Sequence, residues 1–386
     1  MKILVVIPDS AMGGITSSAV NFCNELTERG NQVFLLDMSG ELLCADRLSP
    51  EVVRGTLDGR SRYWNLQSKE LRSAKGLKKA KLLLLGGLKK ATIKSGFWFK
   101  LIFKKYKQFG EFDIAAAFRQ CDPCYSFVLQ KVSAKKKIGF VHGELRYMGD
   151  ISSWKKHMTL FDKIAYVSNA VKEEFTAAYP ELQKNACTIY NMFNKEQILK
   201  MAQDKNPFDF DKTAKNIVTI ARIDNAFKRI NLLPEICSIL KEKTSQKFHW
   251  YVVGDGPEKN EVQQKIDELG VGDVLSLCGA SSNPYAILKD ADFSALISKS
   301  EAYPMTVIES LILKKAVLVT NFPSAKEMVE DGKYGLISDF SKEDIAEKAL
   351  KMINDEAFFA SCETHLAQYE FSNDIAYQQF LKSKGD

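Results

Sequence analysis

The sequence predicts an α/β protein of two consecutive halves, each a doubly wound parallel sheet with ligand-bearing turns between strands and helices. Three observations carry this. Short, near-continuous apolar runs recur along the chain, such as KILVVI at residues 2–7 and ADFSALI at 291–297, as expected of parallel strands buried on both faces. Stretches with helical periodicity separate them, which is the βαβ pattern. The alternation restarts after a polar stretch at 204–216, and 386 residues exceed what one core usually serves.

Composition narrows the class. Apolar residues make up 45% and charged residues 26%, ordinary for a globular protein. No apolar run approaches the ~20 residues of a membrane span. The opening run is too short for the core of an export signal, so it reads as a strand in a cytoplasmic protein. The eight cysteines then read as free thiols. Cys121 and Cys124 are the one close pair, and no second pair or histidine set stands at ligand spacing, so they are taken as structural.

The first strand, residues 2–7, leads to Gly13 and Gly14, which break the chain. A helix is predicted from 15 to 29, stopping at Gly30, a good C-cap residue. A second strand at 32–36 ends at Asp37. The glycine pair stands at a strand-to-helix turn. It serves either close backbone approach to a phosphate or sugar, or turn geometry alone. Asp37 raises a rival, because an acid after a second strand holds a ribose in dinucleotide folds. The turn PDSAMGGIT lacks G-x-G-x-x-G, which argues against a dinucleotide-dependent oxidoreductase.

The net charge of +6 is unevenly spread. Between Ser68 and Lys107 stand thirteen lysines and arginines and one acid, Glu70, so this segment is +12 and the remainder −6. The segment reads as two helical pieces split by Gly86 and Gly87. Lysines mixed with Leu, Phe and Trp suit an anionic lipid surface. Amphipathic helices with solvated lysines are the alternative. A nucleic-acid patch has no accompanying motif, and nucleic acid is not expected as a partner.

Strands are predicted at 113–118 and 137–141. The second delivers His142 and Gly143 at its carboxyl end, the ligand side of such a sheet. A strand at 163–167 precedes a helix capped by Ser168 or Asn169. YNMFN, at 190–194, reads as the way out of the first half, and 204–216 as the linker.

In the second half, NIVTIAR is a strand ending at Arg222. Lys228 follows six residues later, before a helix from about residue 231. Two cations on the loop after a first strand suit a diphosphate. VVGDGPE repeats the strand-turn theme with Gly254 and Gly256. The strand at 291–297 then enters SKSEAYPMTVIES. Glu301 sits on this turn and Glu309 about one turn into the next helix, with seven residues between. Pro304 stiffens the entry. The N–H groups of Met305, Thr306 and Val307 fall at the helix start, where unpaired donors and partial positive charge suit a phosphate. An anion on backbone N–H groups and hydroxyl-rich rings on two carboxylates describe a sugar nucleotide.

In this order the motifs MGGI (12–15), FVHGEL (140–145), YVSNAVKEEF (166–175), IYNMFN (189–194), ARIDNAFKR (221–229), VVGDGPE (252–258), SEAYPMTVIES (300–310) and KEMVEDGKYGLI (326–337) resemble the retaining glycosyltransferases of family 4. The resemblance covers nearly the whole chain and is weakest from about 40 to 110. It implies the GT-B architecture, two Rossmann-like domains facing across a central cleft. Residues 1–200 would bind the acceptor and 201–366 the nucleotide sugar, with 367–386 a helix crossing back. It implies that Arg222 and Lys228 bind the donor diphosphate and that Glu301 contacts the transferred sugar. Glu309 would hold the ribose, and the N–H groups of Met305 and Thr306 would cradle phosphate. Gly13, Gly14 and Gly254 would approach the donor, and His142 would lie near the reacting centre. Two positions depart from the family: Arg229 after the lysine and Ala302 after the first glutamate, where glycine is common.

The expected function is transfer of a sugar, with retention, from a UDP-sugar to a hydroxyl of a lipid-linked saccharide in bacterial surface polysaccharide synthesis, capsule included. The enzyme would be peripheral on the inner face of the cytoplasmic membrane. No cofactor is expected. No D-x-D metal motif of the kind that would hold a diphosphate-bound divalent ion is recognised, so metal independence is expected too. A non-catalytic sugar-nucleotide-binding partner of another transferase is the second reading, and the oxidoreductase the third.

Overall fold

The computed structural model describes residues 1–9, 13–40, 44–57, 76–92 and 104–384. They form two compact units. The first comprises Met1–Val167, Lys172–Met192 and Asp374–Asp386, the second Ser168–Val171 and Phe193–Asn373. Among the described residues no helix is long and apolar enough to cross a membrane.

The first unit holds β1 (Lys2–Ile7), β2 (Gln32–Asp37), β3 (Val53–Gly55), β4 (Phe112–Ala117), β5 (Ala134–Val141), β6 (Lys163–Tyr166) and β7 (Ala186–Thr188). Their order in the sheet is β3-β2-β1-β4-β5-β6-β7, all parallel. The most apolar strand lies inside: Val5 of β1 stands opposite Leu35 on one side and Ala116 on the other. The helix Gly14–Glu28 packs Phe22 against Phe118 and Phe140, with ring centroids 5.1 and 5.4 Å away. It stops at Gly30, whose φ of 77° only glycine adopts at no steric cost.

The second unit holds β8 (Lys215–Ile220), β9 (Phe248–Val253), β10 (Leu275–Gly279), β11 (Phe293–Leu296), β12 (Ala316–Thr320) and β13 (Gly335–Ser338), in the order β10-β9-β8-β11-β12-β13. Its core is also pinned by polar contacts. Buried Trp250 donates its indole N–H to Thr219 Oγ1 at 2.9 Å, and Thr219 donates onward to the Ala295 carbonyl at 2.8 Å. Three adjacent strands are thereby tied together with no buried donor wasted.

Four expectations differ from the structure. The border between units falls at Met192 and Phe193 rather than 200 and 201, because Phe193, Ile198 and Ala202 join the second core. The stretch 204–216 is packed rather than a linker: Phe210 stacks on Tyr251 at 4.3 Å, an aromatic anchor its polar neighbours disguise. The helix Gly76–Thr92 runs through Gly86 and Gly87. A glycine costs a helix only about 1 kcal/mol, and the flanking Leu and Lys are strong helix formers. The second basic helical piece begins inside this helix, and its residues 93–103 lie outside the described ones. The chain rejoins the first unit at Asp374, not 367, and there Phe380 of the helix Asp374–Lys382 stands edge-on to Phe22 at 5.4 Å.

Candidate functional site

Counting from β8, the second sheet has the order 3-2-1-4-5-6. Its direction reverses between β8 and β11, the switch point where doubly wound sheets open a ligand crevice at their carboxyl ends. Arg222 stands just past the end of β8. Glu301 stands past the end of β11. The two loops that the sequence singled out therefore meet at one point of the sheet.

The first loop is held by close backbone packing. Ala221 N–H donates to the Val253 carbonyl at 3.1 Å and Ile223 N–H to the Asp255 carbonyl at 3.0 Å, bracketing exposed Arg222. That approach requires glycine on the other side. A Cβ at Gly254 would lie 1.8 Å from the Ala221 oxygen, and one at Gly256 would lie 2.0 Å from the Ile223 oxygen. Packing alone thus accounts for Gly254.

Asp224 then folds the turn. Its carboxylate accepts the N–H groups of Ala226 and Phe227 at 2.9 and 3.2 Å, and its carbonyl accepts those of Lys228 and Arg229 at 3.0 Å. The Phe227 carbonyl accepts Lys299 N–H at 2.7 Å, which joins the two loops. The result is a direct ion pair between Lys228 Nζ and Glu301 Oε1. Ser324 fixes the same turn by donating its hydroxyl to the Glu301 carbonyl at 3.0 Å.

The helix after the turn is Met305–Ile312, and Pro304 before it supplies no side-chain cap. The N–H groups of Met305 and Thr306 therefore sit at a helix start with no intrahelical acceptor. Glu309 is 8% exposed, and its Oε1 accepts a hydrogen bond from Tyr285 Oη at 3.0 Å. Tyr285 belongs to the helix Pro284–Asp290, which Asn283 caps.

The first unit carries the other expected residues. Gly13 is extended and Gly14 opens the helix Gly14–Glu28; a Cβ at either would meet nothing within 4 Å, so the fold does not demand glycine there. Met12 of the same motif lies outside the described residues. His142 follows β5, its ring centroid 4.9 Å from that of Phe118. Burial pushes its pKa down to about 3, against a hydrogen bond to the Phe118 backbone that raises it, so the imidazole is neutral at ordinary pH. Its Nε2 is buried with no hydrogen-bond partner among the described residues. Cys121 precedes the helix Asp122–Lys131, Cys124 is buried in it, and all eight cysteines are free thiols.

Sequence reasoning missed Asp224, Tyr285 and Ser324. An Asp-Asn pair is a turn signal and marks Asp224 in hindsight. Nothing local marks Tyr285, whose partner is 24 residues away.

Two Rossmann-like parallel sheets in one chain, with cations and carboxylates gathered at the switch point of the second, define the GT-B fold class. Solved structures share the fold along the whole chain. TarM of S. aureus, a mutant in complex with Fondaparinux, alpha-GlcNAc-glycerol and UDP, superposes with a TM-score of 0.69 over 100% of both chains at 15% identity. HepE of Anabaena in complex with UDP gives 0.66 over 99% of both at 15% identity. Residues 200–369 match the family model of glycosyl transferases group 1. Among curated relatives, the poly(ribitol-phosphate) alpha-N-acetylglucosaminyltransferase of Staphylococcus aureus (strain COL) is 25% identical over 50% of this chain and 40% of its own. The N-acetyl-alpha-D-glucosaminyl L-malate synthase of Bacillus anthracis is 22% identical over 58% and 57%. A Campylobacter jejuni N-acetylgalactosaminyltransferase acting on a diphospho-undecaprenol saccharide is 28% identical over 44% and 44%. The chain thus spans between 40% and 57% of these relatives' lengths.

Proposed function

We propose that the protein is a retaining glycosyltransferase that moves a sugar from a UDP-sugar to a hydroxyl of a lipid-linked saccharide in bacterial surface polysaccharide synthesis. The observation that carries this is the pairing of Lys228 with Glu301 at the switch point of the second sheet, beside an uncapped helix start. UDP in the HepE and TarM structures supports the choice of base, and the diphospho-undecaprenol acceptor of the Campylobacter relative supports the acceptor class.

In this reading the sugar–phosphate bond breaks with positive charge growing on the anomeric carbon and negative charge on the diphosphate. Arg222, Lys228 and the N–H groups of Met305 and Thr306 stabilise the diphosphate. Glu301 orients the sugar by its hydroxyls, and Glu309, held by Tyr285, takes the ribose diol. The acceptor hydroxyl attacks on the face the diphosphate leaves, and a phosphate oxygen takes its proton. No protein base or metal ion is required. His142, Gly13 and Gly14 keep their proposed roles from the family resemblance alone.

The membrane is the proposed location of the acceptor. Leu77, Leu83 and Leu84 are 92%, 53% and 75% exposed on the helix Gly76–Thr92, beside exposed Lys79 and Lys81, which supports a lipid contact. The remaining basic residues of this segment lie largely outside the described ones.

Thermal stabilisation by UDP, GDP, ADP, CMP and NAD, each without and with magnesium, tests the reading. A ligand at 100 times its Kd adds about 2.7 kcal/mol. Stabilisation by UDP without magnesium is expected. Stabilisation by NAD alone, or only with magnesium, would refute it.

A further inference from the structure

Arg229 stands where many members of the resembled family carry glycine, and its backbone shows why: φ is 57° and ψ 31°, the left-handed region. An L side chain there carries a steric penalty that glycine escapes and asparagine largely escapes. The arginine is nevertheless half-buried. Its Nη2 donates to the Phe340 carbonyl at 2.6 Å, with the guanidinium 6.0 Å from the Phe340 ring centroid. Its Nη1 is buried without a hydrogen-bond partner among the described residues.

The anchor at Phe340 is firm. Asp339 N–H donates to Asp344 Oδ2 at 2.7 Å, Asp339 Oδ1 accepts Ser341 N–H at 2.7 Å, and Ser341 caps the helix Lys342–Asn354. On the other side, Arg229 N–H closes the Asp224 turn together with Lys228 N–H. Arg229 therefore links the turn that presents Lys228 to a segment 111 residues away in sequence.

We propose that Arg229 is a positioning residue of the donor site: its guanidinium, seated on the Phe340 carbonyl, fixes the 224–229 turn so that Lys228 faces the donor diphosphate. This rests on the donor-site reading above and adds a determinant to it. Glycine at this position gives the turn its shape; arginine gives it the shape and a tether.

The test uses Arg229→Asn, which tolerates the left-handed backbone but cannot reach Phe340, and Arg229→Lys, which retains one charged donor. Hydrogen exchange of the amides at 226–230 is measured on the protein without ligand, and UDP affinity by calorimetry. The Asn variant should melt at or above the wild-type temperature, exchange about tenfold faster in the turn and bind UDP about tenfold more weakly; Lys should recover part of both losses. An Asn variant that exchanges and binds as the wild type does overturns the role alone. So does a loss of binding matched by a lower melting temperature with no rescue by Lys. A wild type that binds no nucleoside diphosphate removes the donor-site reading and this role with it.

Discussion

Lys228 and Glu301 form an ion pair between residues 73 apart in sequence, with side chains only 27% and 11% exposed. The cation proposed for the diphosphate is held by the carboxylate proposed for the sugar. A donor that brings both groups replaces each partner's contact; a nucleoside diphosphate without sugar draws Lys228 away and leaves Glu301 beside added negative charge. Glu301→Gln should therefore bind UDP several-fold more tightly than wild type while transferring sugar more slowly. Calorimetry with UDP checks this, and unchanged affinity would show that the pair does not compete with the ligand.

Removing either cation should act on the departing diphosphate. Lys228→Ala and Arg222→Ala are each expected to lower turnover by about 10² or more. Steady-state rates at saturating donor decide it, and losses below tenfold for both would remove them from the catalytic role.

Tyr285 donates a hydrogen bond to Glu309. Tyr285→Phe should fold normally and raise the donor KM about tenfold or more, the worth of one hydrogen bond to a charged group. Glu309→Ala should in addition erase discrimination between UDP and 2′-deoxy-UDP. Retained discrimination would place the ribose elsewhere.

The glycines should separate by cause. Gly254→Ala puts a methyl 1.8 Å from the Ala221 oxygen and should destabilise the protein by about 2 kcal/mol. Gly14→Ala meets nothing within 4 Å and should leave the melting temperature unchanged or higher, so any loss of activity there reports on ligand approach. Chemical denaturation of both variants distinguishes the two effects.

His142 has a folded pKa of about 3, depressed from 6.5 by burial. Between those values the unfolded chain binds a proton that the folded chain refuses, so stability falls as pH drops from 6.5 toward 3. His142→Phe should flatten that slope. Urea midpoints from pH 7 to 4.5 measure it, and identical slopes would mean that His142 takes up its proton in the folded protein as it does in the unfolded chain. Activity should show no limb near 6.5 from this residue.

The strands, the restart of the α/β pattern and the two loops bearing Arg222, Lys228, Glu301 and Glu309 were legible because each is written in a short run of residues. Apolar runs, Gly-Gly and Pro304 report local geometry. The unit border was misplaced because Ile198 and Phe210 look like parts of polar stretches until the core they enter is known. The packing that requires glycine at 254 was not legible because the Ala221 carbonyl it accommodates is remote in sequence.

By itself the sequence determined most of the strands and helices, though not the strand Val53–Gly55 or the continuity of the helix Gly76–Thr92, since burial on both faces and helical periodicity are properties of neighbouring residues. Only the tertiary structure decided that β8 and β11 lie side by side, that Lys228 meets Glu301, that Tyr285 holds Glu309 and that Arg229 reaches Phe340. Those contacts join residues 24 to 111 positions apart, and strand order comes from how crossovers pack on the sheet rather than from any local pattern.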